Sequence, residues 1–533
     1  MINSQLRSEV RAEAEKRRTF AIISHPDAGK TTLTEKLLLY SGMVRTAGMV
    51  GARKSGKLAA SDWMEMEQER GISITASAMQ FPYKGAVINV LDTPGHQDFC
   101  EDTYRTLTAA DSAIMVIDAA KGVEAQTRKL FEVCRLRNIP VLTFINKMDL
   151  PGLAPLDLMA EVEDVLGIHA SPINWPVGSG REFLGVVDRD TNRLLLYTKT
   201  ASAGAAKPKL TELSLNDPSV KDRIPSHLWE HLQHDLELLE IAGNPFSPDA
   251  FQNGKVTPVF FGSALTNFGV EIFFDAFVDL APSARGRLAD TPDGRETMID
   301  PVNTPFSAYV FKLQANMNPR HRDSTAFFRV CSGRFERDMV VKHHRGKNEV
   351  RLTRPHSMVA KNRHILDVAY PGDVIGIINP GVFQIGDTIS LTDGFNYKPL
   401  PQFQPEVFAR VRPTDTGKRK AFDKGIEQLA LEGTIQILHS MDELEFFVAA
   451  VGNLQFDVLV FRLRSEYRVE VVLDVLPFES SSWLLGEVDT FKPPSDALIV
   501  KDRRNRPVVL FRSGWSKNFA RERNPNHTLQ EMG

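Results

Sequence analysis

The chain has 533 residues, 42% hydrophobic and 25% charged, which exceeds one hydrophobic core and calls for about three to four domains. Its formal net charge of -3 excludes a polycation that coats nucleic acid, so any RNA contact has to use local patches. Three scattered cysteines, Cys100, Cys134 and Cys331, exclude a disulfide framework and a Cys-based zinc site and fit a reducing cytoplasm.

The opening stretch "SQLRSEVRAEAEKRR" is too charged for a signal peptide, and no run of about 18 apolar residues follows, so a soluble cytoplasmic protein without a membrane partner is expected. Five apolar, β-branched runs then read as buried parallel strands: "TFAII" (19–23), "AVINVL" (86–91), "SAIMVI" (112–117), "PVLTFI" (140–145) and "TPVFF" (257–261). Helical patterns such as "TTLTEKLLLY" and "GVEAQTRKLFEVCRLR" lie between most of them. This alternation predicts an α/β domain with a mostly parallel sheet, whose ligands bind beyond the carboxyl ends of the strands.

After the first strand comes "SHPDAGKTT", that is Ser24, His25, Pro26, Asp27, Ala28, Gly29, Lys30, Thr31 and Thr32. Gly29 lets the backbone bend around phosphate oxygens, Lys30 would reach the β- and γ-phosphates, and the Thr31 hydroxyl would ligate Mg²⁺ at a helix N-terminus. The second strand ends in "DTPGH", Asp92, Thr93, Pro94, Gly95 and His96. Asp92 can hold Mg²⁺ through a water, Gly95 offers its N–H to a γ-phosphate, and His96 is the candidate for orienting an attacking water.

The fourth strand ends in "NKMD", Asn146, Lys147, Met148 and Asp149, where Asn146 and Asp149 at the mouth of the sheet can read a base edge, Asp149 accepting from the N1–H and N2–H of guanine, donors that adenine lacks. The fifth is followed by "GSAL", where backbone amides around Ser263 and Ala264 could meet the guanine O6, with Leu265 next to them as a further nucleotide-binding candidate. Each motif alone has a plain alternative: a glycine-capped helix, a tight turn or an Asx helix cap. Their joint order at four strand ends favours a guanine-nucleotide site that takes GTP and GDP.

With "DAGKTT", "DTPGH", "NKMD" and "GSAL" in this order, and "QERGISIT" (68–75) between the first two, the chain resembles the translational GTPases. The resemblance implies Ser73 on Mg²⁺ in the GTP state, His96 positioning the hydrolytic water, and Pro26 and Ile72 as a hydrophobic gate around that histidine. It also implies two switches, 56–75 and 92–111. Ser73 stands where threonine is usual and keeps the hydroxyl; Ser24 replaces the first loop glycine.

Farther on, "PFSAYVFKLQ" to "GDTISL" resembles the barrel domain of the elongation factor G branch, and "GIEQLALEGTIQIL" with "VGNLQFDVL" its third domain. The expected layout is therefore a P-loop domain at 1–285 with an insertion at about 150–255, an antiparallel β-barrel at 286–395 and an α+β domain at 396–533.

The chain's end at Gly533 leaves no room for the translocase's two further domains, and the whole set of motifs resembles the bacterial class II peptide chain release factors. That likeness implies a ribosome-stimulated GTPase of translation termination. It would act as a monomer with the 70S ribosome, with ribosomal RNA near the GTPase centre, and with class I release factors. A truncated translocase-type or ribosome-protection GTPase and a non-hydrolysing guanine-nucleotide sensor that binds RNA remain the alternatives at this stage. Cationic clusters at "NPRHRD" (318–323), "VKHHRGK" (341–347) and 501–533, where eight Lys or Arg stand against three acids with Trp515 and Phe519 among them, are candidate phosphate contacts.

Overall fold

A computed structural model describes residues 4–43, 77–198, 206–315, 324–359, 362–400 and 402–530. In the first unit α1 (Ser4–Lys16) leads into β1 (Arg17–Ser24), followed by α2 (Lys30–Tyr40), β2 (Ser77–Tyr83), β3 (Ala86–Asp92), α3 (Cys100–Ala109), β4 (Ser112–Asp118), α4 (Ala125–Leu136) and β5 (Val141–Asn146). Then come α5 (Pro155–Leu166), β6 (His169–Pro172), four strands β7 (Asn174–Val177), β8 (Gly185–Asp188), β9 (Arg193–Thr198) and β10 (Lys209–Ser214), the helices α6 (Ser226–Ala242) and α7 (Pro248–Gln252), β11 (Val256–Phe261) and α8 (Val270–Leu280).

The main sheet has the order β2-β3-β1-β4-β5-β11-β6, parallel except for β2, which runs antiparallel to β3. Its central strands are buried on both faces because helices cover both. One face packs on Leu107, Leu130, Phe131 and Val162, the other on Leu33, Leu37, Phe273, Phe274 and Phe277. Burial of each such side chain contributes about 1.5–3 kcal/mol.

Seven strands stand where the apolar runs predict five. The two extra ones form the sheet's edges: β2 carries Pro82, which an edge strand tolerates, and β6 is the four-residue "HASP", too short and polar to stand out. The segment expected as an insertion divides accordingly. Its α5 and β6 join the main body, whereas β7 to β10 form a separate antiparallel sheet with α6 against it.

From Ser307 to Ser390 the chain forms an eight-stranded antiparallel sheet, curled as a half-barrel. Its inner side holds Phe306, Phe328, Phe335 and Ile375. Strand Asn396–Tyr397 pairs with Arg287–Asp290 in a small three-stranded sheet, and from Val407 to Gln530 the chain builds a second eight-stranded antiparallel sheet. Helices Arg419–Glu432 and Asn453–Tyr467 bury Phe422, Leu429, Leu459 and Leu463 on it.

The curled sheet joins the first unit through charge as well as through apolar contact. Arg329 and Asp111, each side chain 1% exposed, form a buried ion pair, and the same guanidinium donates to Thr19 Oγ1 at 2.9 Å. Arg17 pairs with Asp373 at 2.9 Å. Tyr309, Phe311 and Phe327 of the curled sheet belong to the same apolar cluster as β4 and β5, so the two units share a core.

Candidate nucleotide site

The loop between β1 and α2 starts at Ser24, whose buried hydroxyl donates to the His25 carbonyl at 2.9 Å. A side chain at this corner is therefore accommodated by a local bond. His25 Nε2 lies 3.1 Å from Glu124, and Asp27 takes a left-handed φ of 65°. Gly29 has φ 100°, and a Cβ there would lie 2.2 Å from Asn146 Nδ2. No other residue type meets both demands. Thr31 and Thr32 lie in the first turn of α2, half-buried.

Lys30 is buried, its Nζ 3.7 Å from Asp92 Oδ1 at the end of β3. Thr93 donates to the Ile22 carbonyl at 2.6 Å and Pro94 accepts from Thr103 at 3.3 Å, which ties this turn to β1 and α3. A Cβ on Gly95 would sit 3.6 Å from Pro26 Cα and 3.9 Å from Lys30 Nζ, so the two loops converge at the lysine. His96 remains 37% exposed; its Nδ1 accepts from the Asp98 N–H at 3.3 Å.

Asn146 braces the site rather than standing free at its mouth. Its Nδ2 donates to the Ala28 carbonyl and its Oδ1 accepts from the Ala264 N–H, both at 2.8 Å, so one amide ties the phosphate loop to "GSAL". The Ser263 N–H is likewise bonded, to the Phe268 carbonyl at 2.8 Å. Two amides expected to aim at guanine O6 are thus engaged within the protein, and Leu265, next along, is exposed. Asp149 behaves otherwise: its Oδ1 is buried without a hydrogen-bond partner. Met148 is core, its N–H donating to the Gly262 carbonyl at 3.1 Å.

Two residues that the motifs leave out belong here. Asp118, the last residue of β4, accepts from Lys147 Nζ at 2.7 Å and from the Ala120 N–H at 2.9 Å, which holds "NKMD" in place. Its signal was present: like Asp92 and Asn146 it directly follows an apolar run. Asp98, two residues past His96, carries no motif signal at all. Ile72 and Ser73, with the switch at 56–75, lie outside the described residues.

The cationic cluster at 341–347 is largely neutralised: His343 and Arg345 both pair with Asp387, and Lys342 with Asp393. Near the carboxyl end Trp515 is 72% exposed and stacked on Phe519, centroids 5.3 Å apart. The cluster at 318–323 lies outside the described residues. Among the described residues no helix is long and apolar enough to cross a membrane.

Comparison with known proteins agrees with this geometry. Residues 15–283 match the family model of the elongation factor Tu GTP binding domain, and 305–392 that of elongation factor G domain 2. A crystal structure of a protein from Thermus thermophilus has the same fold, with a TM-score of 0.70 at 20% identity over 92% of this chain and 72% of that one. Fold and site define a translational GTPase, an enzyme that binds guanine nucleotide and hydrolyses GTP.

Residues 397–521 match the C-terminal domain of the class II release factor RF3. Peptide chain release factor 3 of Synechocystis sp. is 51% identical over 95% of this chain and 92% of its own. That of Symbiobacterium thermophilum is 50% identical over 96% and 97%. The chain belongs to the peptide chain release factor 3 family, translational GTPases of termination.

Proposed function

We propose that this GTPase binds the bacterial 70S ribosome after peptide release and uses GTP to dissociate the class I release factor, which is thereby recycled. The observation that carries this reading is the release-factor-type carboxyl-terminal unit at 397–521 joined to a nucleotide loop set with a catalytic histidine candidate. The protein works as a cytoplasmic monomer, with ribosomal RNA near the GTPase centre. Its functional units are residues 1–285, 286–395 and 396–533.

The site residues divide the work. Residues 24–32 cradle the phosphates, with Lys30 on the β- and γ-phosphate oxygens and the amides of the first turn of α2 aimed at the same charge. The hydroxyls of Thr31 and Ser73 and the Asp92 carboxylate, the last through a water, are hard oxygen donors of the kind Mg²⁺ takes. Mg²⁺ held there would neutralise charge on the phosphate oxygens. Asp149 reads guanine N1–H and N2–H, for which its buried, unpartnered Oδ1 is suited. Thr93 and Pro94 hold the Asp92 turn, and Asn146, Lys147, Met148, Ser263, Ala264 and Leu265 shape the base pocket.

Hydrolysis replaces the bond between the γ-phosphorus and the bridging oxygen with one to a water oxygen. The Gly95 N–H faces the γ-phosphate. His96, its Nδ1 occupied by the Asp98 N–H, turns its Nε2 side to the water. Pro26 and Ile72 restrain the ring until ribosomal RNA draws it inward, so hydrolysis by the free protein is slow. The test is GTP-dependent multiple turnover of a class I release factor on terminated ribosomes. Acceleration of its release is expected; no acceleration, with translocation or antibiotic protection in its place, overturns the reading.

A further inference from the structure

The segment after His96 is gripped by the third unit at two electrically opposite points. Asp98 Oδ2 accepts from the Leu454 N–H at 2.8 Å, at the first turn of helix Asn453–Tyr467. Gly452, the residue before that helix, lies so close that a Cβ on it would stand 2.1 Å from Asp98 Cγ. A carboxylate thus sits at the positive end of a helix. Seven residues on, Arg105 of α3 reaches the other helix at its negative end: a Cβ on Gly433, which caps helix Arg419–Glu432, would stand 2.0 Å from Arg105 Nη1.

Between these poles Phe99 packs on Val458, Leu454 and Phe461, its ring centroid 6.4 Å from that of His96. The Asp98 backbone N–H, in turn, is the donor to His96 Nδ1. One residue therefore joins the third unit to the histidine ring: its Oδ2 takes the Leu454 N–H, while its Oδ1 and its backbone N–H both lie 3.3 Å from His96 Nδ1.

We propose that helix Asn453–Tyr467 sets the orientation of His96 through Asp98, and that Asp98 and Gly452 are positioning residues for GTP hydrolysis. This rests on the reading of His96 as the residue that orients water. Gly452 is required at its place because any side chain pushes the helix start off the Asp98 carboxylate.

The test compares ribosome-stimulated GTP hydrolysis by the full chain and by Asp98→Ala, Gly452→Ala and the double variant. Each single change is expected to lower kcat about tenfold, as misplacement of a catalytic group does, with GTP affinity and KM for ribosomes within about twofold. The double variant is expected to be no slower than the slower single one, because both break the same contact. Asp98→Asn, which keeps an acceptor for the Leu454 N–H, should stay within about threefold of the unaltered protein.

Should Gly452→Ala not fold, Leu454→Pro removes the same N–H at a helix position that tolerates proline. Losses that multiply in the double variant overturn the proposal. So does a Gly452→Ala protein with unaltered kcat, or a loss confined to KM or GTP affinity. His96→Ala run alongside separates the two claims. Full turnover in it removes the histidine reading itself, whereas loss there with normal Asp98→Ala and Gly452→Ala removes only the link to the third unit.

Discussion

At the scale of single residues, the buried carboxylate oxygen of Asp149 has no partner within the protein, and the proposed reading makes it the group that selects the base. Asp149→Asn should weaken GTP binding at least about 100-fold and favour xanthosine nucleotides, since the amide presents a donor where guanine does too. A fluorescence titration with both nucleotides checks this. His96→Ala should bind GTP normally but lose about 10²- to 10⁴-fold in ribosome-stimulated kcat, measured by phosphate release. Lys36, on α2, supplies a pH signature. Burial pushes its ammonium down to about 8, with Glu35 opposing the shift. The unfolded value is about 10.4, so the unfolded chain keeps its proton where the folded one has lost it. The lysine's contribution to stability therefore rises as pH climbs from about 8 to about 10.4, and its full cost is present below that window. The melting temperature of Lys36→Met should lack this rise in calorimetry across the same range.

At the scale of elements, the ends of β1, β3, β5 and β11 were legible because each is a short apolar run followed at once by a polar motif, a pattern local in the chain. The edge strands β2 and β6 were not, because edges need neither alternation nor length and tolerate proline. The loops themselves hold one another. Gly29 is fixed by its left-handed φ and by Asn146, which comes from a strand more than a hundred residues on. Gly29→Ala should cost about 1–3 kcal/mol in urea unfolding and abolish nucleotide binding, because the added carbon displaces the Asn146 brace as well as the phosphates. Binding that survives in that variant would show that the brace can yield.

For the whole molecule, the buried Arg329 and Asp111 pair is one of the contacts that hold the first unit to the curled sheet, beside the Arg17 and Asp373 pair and the shared apolar cluster. Arg329→Met leaves the Asp111 carboxylate buried with one guanidinium fewer, Arg287 remaining 3.3 Å away. It should cost about 3–5 kcal/mol and lower the urea midpoint, with the curled sheet separating from the first unit in its own transition. Intrinsic fluorescence and far-ultraviolet dichroism followed through the same titration check this, by whether their midpoints part. Because Asp111 also closes the stretch that begins at Asp92, the joint between units is continuous with the nucleotide loops.

The sequence by itself determined the class of ligand and the broad plan: four nucleotide-site motifs in order at strand ends, then an antiparallel β unit and an α+β unit. These follow from residue type and short-range periodicity, which the chain carries locally. Only the tertiary structure decided that Asn146 braces two loops, that Asp118 holds Lys147, and that Asp98 meets Leu454 from 356 positions away. Such pairs leave no periodic trace, because what brings them together is the burial of shared apolar faces, and a carboxylate finds its partner only once those faces have closed.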